Sequence, residues 1–174
     1  MRPAGSEPSP ESDPDDDAAL RDAKAIARRI DDDQAAADQA RDHIRAEGMQ
    51  TLAVENDAGL ALQSDEGILA VRRPALARTI DTASGDPPAK GTLYLTDRRL
   101  IFVTADATTA IGLSRIVELS TVGERQLLIE LGDAEGAAYE IDRPRVFRVE
   151  ISEAIAASRE TSRRGAGVLR QSLV

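Results

Sequence analysis

Few side chains in this sequence could do covalent chemistry, and they do not converge. His43 is the single histidine, and it lies in a charged stretch with no nucleophile or metal-ligand set at motif spacing around it. The absence of cysteine excludes a thiol nucleophile, a thiolate metal site and a disulfide framework. No serine sits in a nucleophile elbow, and no glycine-rich loop is shaped for phosphate. The acidic runs Asp15–Asp17 and Asp31–Asp33 lack the alternating ligands and central glycine of a calcium loop. These observations point away from an enzyme and imply neither cofactor nor metal. What remains is the guanidinium group, since all basic side chains but Lys24 and Lys90 are arginines. Its planar fork of donors suits phosphate and carboxylate oxygens.

The net charge is −9, and its placement matters more than its sum. Residues 1–63 carry −8, residues 64–160 carry −4 and residues 161–174 carry +3. A polyanion such as DNA is repelled on average, and the basic–aromatic interleaving of an RNA-binding sheet is missing, so no nucleic acid is expected. The arginine-, alanine- and glycine-rich usage suggests a GC-rich bacterial gene. No run of about 18 apolar residues is present, and the first residues lack the apolar stretch of a signal peptide. The expected location is cytoplasmic, with attachment to the inner membrane face as the variant.

The elements that would position these groups follow from the hydrophobic period. Residues 1–13 are rich in Pro, Ser, Asp and Glu and read as a disordered acidic leader. Asp13, Pro14 and the aspartates behind them form a helix start, and Gly48 is a natural stop, which gives a helical arm over 14–48. Leu20, Ala23, Ala27, Ile30, Gln34, Ala37, Arg41 and Ile44 alternate at steps of three and four, a weak heptad seam. The arm reads either as a solvated helix or as a site of weak self-association, and the triple aspartate at 31–33 leaves open a break there. Residues 49–63 are a connector. From residue 64 the period becomes two, with strands at 67–72, in the 91–104 segment, at 111–113, 116–122, 127–131 and 138–141, and a loop around SGDPPAK. Short strands at such spacing point to a small sandwich or barrel. From Pro144 the period returns to helical, with Phe147, Ile151, Ala154, Ile155 and Ser158 on one face. Residues 161–174, with two glycines and three arginines, read as a flexible basic tail.

Within this pattern the stretch GTLYLTDRRLIFVT, residues 91–104, places two alternating apolar strands around the turn Thr96-Asp97-Arg98-Arg99. This hairpin resembles the central hairpin of GRAM-type pleckstrin-homology-like domains, and the resemblance covers residues 64–160. It implies a mainly β fold: a barrel of two near-orthogonal antiparallel sheets, capped by a C-terminal helix that Phe147 and Ile151 would plug into one end. It also implies a non-enzymatic binding module. Domains of this superfamily often hold anionic lipid headgroups with basic residues of the first two strands and their loop. Here that region offers Arg72, Arg73, Arg78 and Lys90, with Arg98 and Arg99 at the next turn. Asp81, Asp86 and Asp97 lie among them, and the domain is net negative. Protein interaction or scaffolding, through a sheet edge or the groove beside the helix, is therefore the favoured reading, with an unidentified protein partner. Peripheral binding to anionic membranes is the alternative. The terminal Ser172-Leu173-Val174 also resembles a peptide ligand for PDZ domains.

Overall fold

A computed structural model of the chain describes residues 14–53, 60–79, 88–132 and 135–171. The leader at 1–13, most of the SGDPPAK loop and the terminal Ser172–Val174 lie outside them. Helix α1 runs from Pro14 to Glu47, and seven strands follow: β1 Ile68–Thr79, β2 Ala89–Thr96, β3 Arg99–Thr104, β4 Thr108–Gly112, β5 Ile116–Val122, β6 Gln126–Leu131 and β7 Gly136–Glu140. A single 3-10 turn, Leu113–Arg115, links β4 to β5, and helix α2 spans Pro144–Gln171. The fold is mainly β with a helix at each end, in the expected strand order.

All seven strands belong to one antiparallel sheet in the order β4-β3-β2-β1-β7-β6-β5. The two expected sheets therefore share β1, which runs well past the predicted end at Arg72. Leu76 pairs with Lys90 on one side and with Glu140 on the other. Pro74 can lie within this central strand because it sits at a register shift between Arg72 and Ala75, where no ladder N–H is required of it. The Arg73–Pro74 peptide is cis. The sheet folds over on itself, since Phe102 of β3 and Tyr139 of β7 meet with ring centroids 5.5 Å apart although their strands are not neighbours. Burial pushes the Tyr139 phenol up to about 12.

The β2–β3 hairpin has the predicted two-residue turn. Thr96 is fully buried, and its Oγ1 accepts the Arg99 N–H at 2.9 Å and the Arg98 N–H at 3.2 Å. Gly91 lies where β2 and β3 approach most closely. A Cβ there would sit 2.1 Å from the Val103 carbonyl oxygen, so only glycine fits.

The core gathers Leu93, Leu95, Leu100, Phe102, Leu113, Leu127, Ile129 and Tyr139 from the sheet and closes on Phe147, Ile151 and Ala154 of α2. Phe147 and Ile151 are both 0% exposed, so they plug the barrel as expected. A smaller cluster of Ile68, Tyr94 and Ile101 on the other side of the sheet is covered by Leu60.

Helix α1 is continuous through Asp31–Asp33, and its packing explains why. Asp33 is 6% exposed, and its carboxylate accepts the backbone N–H of Arg145 at 2.9 Å and of Val146 at 3.4 Å. These are early amides of α2, which no intrahelical carbonyl can satisfy. A residue of one helix thus caps the other, and the Arg145 guanidinium lies 3.6 Å from the same carboxylate. The apparent break is the docking point of α1 on α2. Val149, about 160° round the helix from Phe147, is also buried at 3%. Helix α2 is therefore covered on two faces, by the sheet and by α1. Only the second half of the predicted seam is used in this contact: Ala37 is buried and Ile44 half-buried, while Leu20, Ala23 and Ala27 are exposed.

Replacing Asp33 by alanine is expected to cost about 1–2 kcal/mol, a buried cap at the upper end of the usual range. Hydrogen exchange should accelerate first at the Arg145 and Val146 amides. Unchanged exchange there would show that the cap contributes nothing.

The segment from 161 continues α2 to Gln171 rather than forming a flexible tail. Arginine is a good helix former, and the glycines at 165 and 167 cost only about 1 kcal/mol each in a helix that is already nucleated.

Candidate functional site

Of the six basic residues expected to meet an anionic lipid, Arg72, Arg78, Arg98 and Arg99 pair with carboxylates of this chain. Arg72 lies 4.5 Å from the centroid of the Phe147 ring and pairs with Glu150 at 2.6 Å, with both side chains largely covered. It latches β1 to α2. Burial pushes the Glu150 carboxyl up, and the Arg72 charge opposes that shift. Arg99 is committed in the same way. Its Nε donates to Glu66 Oε1 at 2.8 Å, and its Nη2 donates to Glu66 Oε2 at 2.7 Å and to the Ala61 carbonyl at 2.8 Å. The Glu66 side chain is 0% exposed. Hydrogen bonds from Arg99, Gln63 and Thr96 outweigh its burial and hold its carboxyl down to about 2. Arg98 reaches the same connector, donating to Gln63 Oε1 at 2.5 Å and pairing with Asp65.

The other three lie on β1 and β2. Arg73 donates from Nε to Thr92 Oγ1 at 3.1 Å and from Nη2 to the Tyr94 hydroxyl at 3.0 Å. It borders a shallow depression of about 440 Å³ with Thr92, Tyr94 and Thr104. Arg78 is exposed and lies 3.8 Å from Glu140, and Lys90 is exposed opposite Leu76. Four of the six arginine and lysine charges thus face a carboxylate of the same chain, from Glu66, Asp65, Glu140 or Glu150. The carboxylates that neutralise Arg72 and Arg78 lie more than 60 positions away, beyond the reach of local spacing.

A larger concave feature lies elsewhere and has no sequence motif. A groove of about 1120 Å³ is bounded by the end of α1 (Ile44, Gly48, Met49), by Leu69 of β1, by Asp97 and Arg98 in the hairpin turn, and by α2 from Glu153 to Arg163. Its origin is simple. Asp33 meets the start of α2 and Ile44 lies near Ala154, so the two helices run in the same direction. Helix α1 then stops at Gly48, whose φ of +78° turns the chain away, its N–H bonded to the Ile44 carbonyl at 2.8 Å. The face of α2 that α1 covers at Val149 continues at Glu153, Ala156, Ala157 and Arg163, where Ala156, Ala157 and Arg163 are exposed along the groove. The floor is apolar and small, and the rim carries charge of both signs.

A second depression, of about 540 Å³, lies where α1 meets the β5–β6 turn, between Arg29, Asp32, Glu124, Arg125, Asp142 and Arg143. Arg29 pairs there with Glu124 at 2.5 Å. Among the described residues no group of three or more acidic or histidine side chains is placed to hold a metal, and no helix is long and apolar enough to cross a membrane.

No protein-family model and no curated protein matches the chain. Among solved structures it is similar to the C-terminal domain of an unknown protein from Leishmania infantum, with 17% identity, a TM-score of 0.41, and coverage of 52% of this chain and 85% of that one. It is also similar to the pleckstrin homology (PH) domain of USP37, with 14% identity, a TM-score of 0.35, and coverage of 49% and 95% respectively.

Proposed function

We propose that this chain is a non-catalytic protein-interaction module whose docking surface is the groove between α1, α2 and the β2–β3 turn. The observation that carries the reading is the open continuation of the α1–α2 interface beyond Gly48. A helix laid there would extend a packing already made within the chain, which is the helix-in-groove mode of recognition. Ala156 and Ala157 are small enough to admit a close helix, while Arg98, Arg159 and Glu153 would set its register.

A photo-crosslinking amino acid at the exposed Ala157 tests this. It should trap a protein, and the same group at Thr109, on the exposed far edge of the sheet, should not. Equal or absent crosslinking at both positions overturns the reading.

The membrane alternative rests on Lys90 and on Arg78, which is exposed and only loosely paired with Glu140 at 3.8 Å, because Arg72, Arg98 and Arg99 pair closely with carboxylates of this chain. Its proper test is Arg78→Glu with Lys90→Glu in a sedimentation assay with anionic liposomes at low and physiological salt. Salt-sensitive binding that this pair abolishes would establish it. A change at Arg72 would be uninformative, since it disturbs the α2 latch.

A further inference from the structure

We infer that the groove receives the projecting half of α1 from a second copy of this chain, an inference that rests on the groove reading above. Arg29 of α1 pairs with Glu124 in the β5–β6 turn. From Asp16 to Lys24 every residue of α1 is exposed, with Leu20 at 53%, and Ile26 beyond them is exposed at 39%. The stripe Leu20, Ala23, Ala27 and Ile30 continues, at the same three–four spacing, the face that packs on α2 at Ala37 and Ile44. One end of the molecule therefore presents α1 without α2, and the other presents α2 without α1.

The two ends match in length. The exposed stretch of α1, Asp16 to Lys24, is about 14 Å long, and the groove-lining stretch of α2, Glu153 to Arg163, is about 17 Å. Both surfaces carry both signs, Asp16, Asp17 and Asp22 with Arg21 and Lys24 on α1, and Arg98, Arg159 and Arg163 with Asp97, Glu153 and Glu160 around the groove, so ion pairs can form in register. An incoming α1 fits with its N-terminus toward Gly48, because its own domain then stays beyond the end of α2. In that direction its positive helix end also faces the negative C-terminal end of the resident α1. The contact is heterologous: each copy uses one end as donor and the other as acceptor, so association does not close at two copies.

Sedimentation velocity of the full chain from low micromolar to near-millimolar concentration tests this. The weight-average mass of the wild type should keep rising past that of a dimer. Leu20→Glu damages the donor end and Ala157→Glu the acceptor end, both at exposed positions that leave the core untouched. Each variant alone should remain monomeric, with association weakened by about tenfold or more. Their mixture should form a one-to-one complex and grow no further, since one variant retains its groove and the other its arm.

A monomeric wild type overturns the inference, as does a mixture that stays monomeric. An Ala157→Glu variant that associates like the wild type also overturns it, because the arms would then pair with each other. The groove reading survives these failures if the crosslinker at 157 traps a different protein, and falls if it traps none.

Discussion

Glu66→Gln is expected to destabilise the protein by about 3 kcal/mol at neutral pH, in line with the loss of one partner from a buried ion pair. Two donors aim at each oxygen of this carboxylate: Thr96 and Arg99 Nε at Oε1, Gln63 N–H and Arg99 Nη2 at Oε2. A glutamine has one acceptor oxygen, so its NH2 group must face donors on one side. The pH dependence separates charge from shape. The carboxyl is held down to about 2 in the folded chain, against 4.5 for an ordinary glutamate. Its contribution is therefore fully present above pH 4.5 and is lost as the pH falls through about 2. The shift corresponds to about 3 kcal/mol at roughly 1.4 kcal/mol per unit. Urea denaturation of both proteins should show the gap between them narrowing from pH 5 towards pH 2. A gap independent of pH would mean that the carboxylate acts by shape alone.

Phe147→Ala is expected to cost about 4 kcal/mol, the usual toll for deleting a fully buried aromatic ring. Phe147 is the plug that α2 drives into the sheet, and it is also the face on which the Arg72 guanidinium rests. Removing it leaves a cavity and strips a partly covered cation of its aromatic contact. Phe147→Leu should recover most of the packing but not the cation–π contact, worth about 1 kcal/mol. In a double-mutant cycle with Arg72→Met, Phe147→Leu should therefore show coupling of that size. Strictly additive losses would show that the ring and the guanidinium stack without mutual stabilisation.

Local pattern carried most of the fold and little of the site. The β2–β3 hairpin was legible because alternation and a polar turn are properties of neighbouring residues. The plug of Phe147 and Ile151 was legible because one helical face repeats every three or four residues. Asp33 was not. Three aspartates in a row read as charge in water, and nothing local says that the third meets α2 more than a hundred positions later. The second buried face of α2, marked by Val149, was hidden for the same reason: it is apolar only at the point where α1 lies. The partners of the arginines were equally out of local reach. Their type was right for phosphate, but Glu150, Glu140 and Glu66 reach them through the fold and take up the same forked donors. The groove has no motif because its shape comes from where α1 ends, not from any residue inside it.

The double pairing of β1 has a consequence for how the chain is made. Leu76 finds Lys90 only 14 positions later, but its partner on the other side, Glu140, follows 64 positions later. At about 5–20 residues per second, that side of β1 waits between roughly three and thirteen seconds for its neighbour during synthesis. Once Gly112 is made, and until β7 follows, the nascent chain holds β1–β4 as a half-built sheet with an open edge on what will become its central strand. Such an edge is a template for pairing with another chain. The stretch of β1 from Leu76 to Thr79 carries Arg78, and a charge on such an edge is a device that discourages such pairing. Arg78, loosely paired with Glu140 in the finished fold, thus has a further physical rationale before the protein is finished.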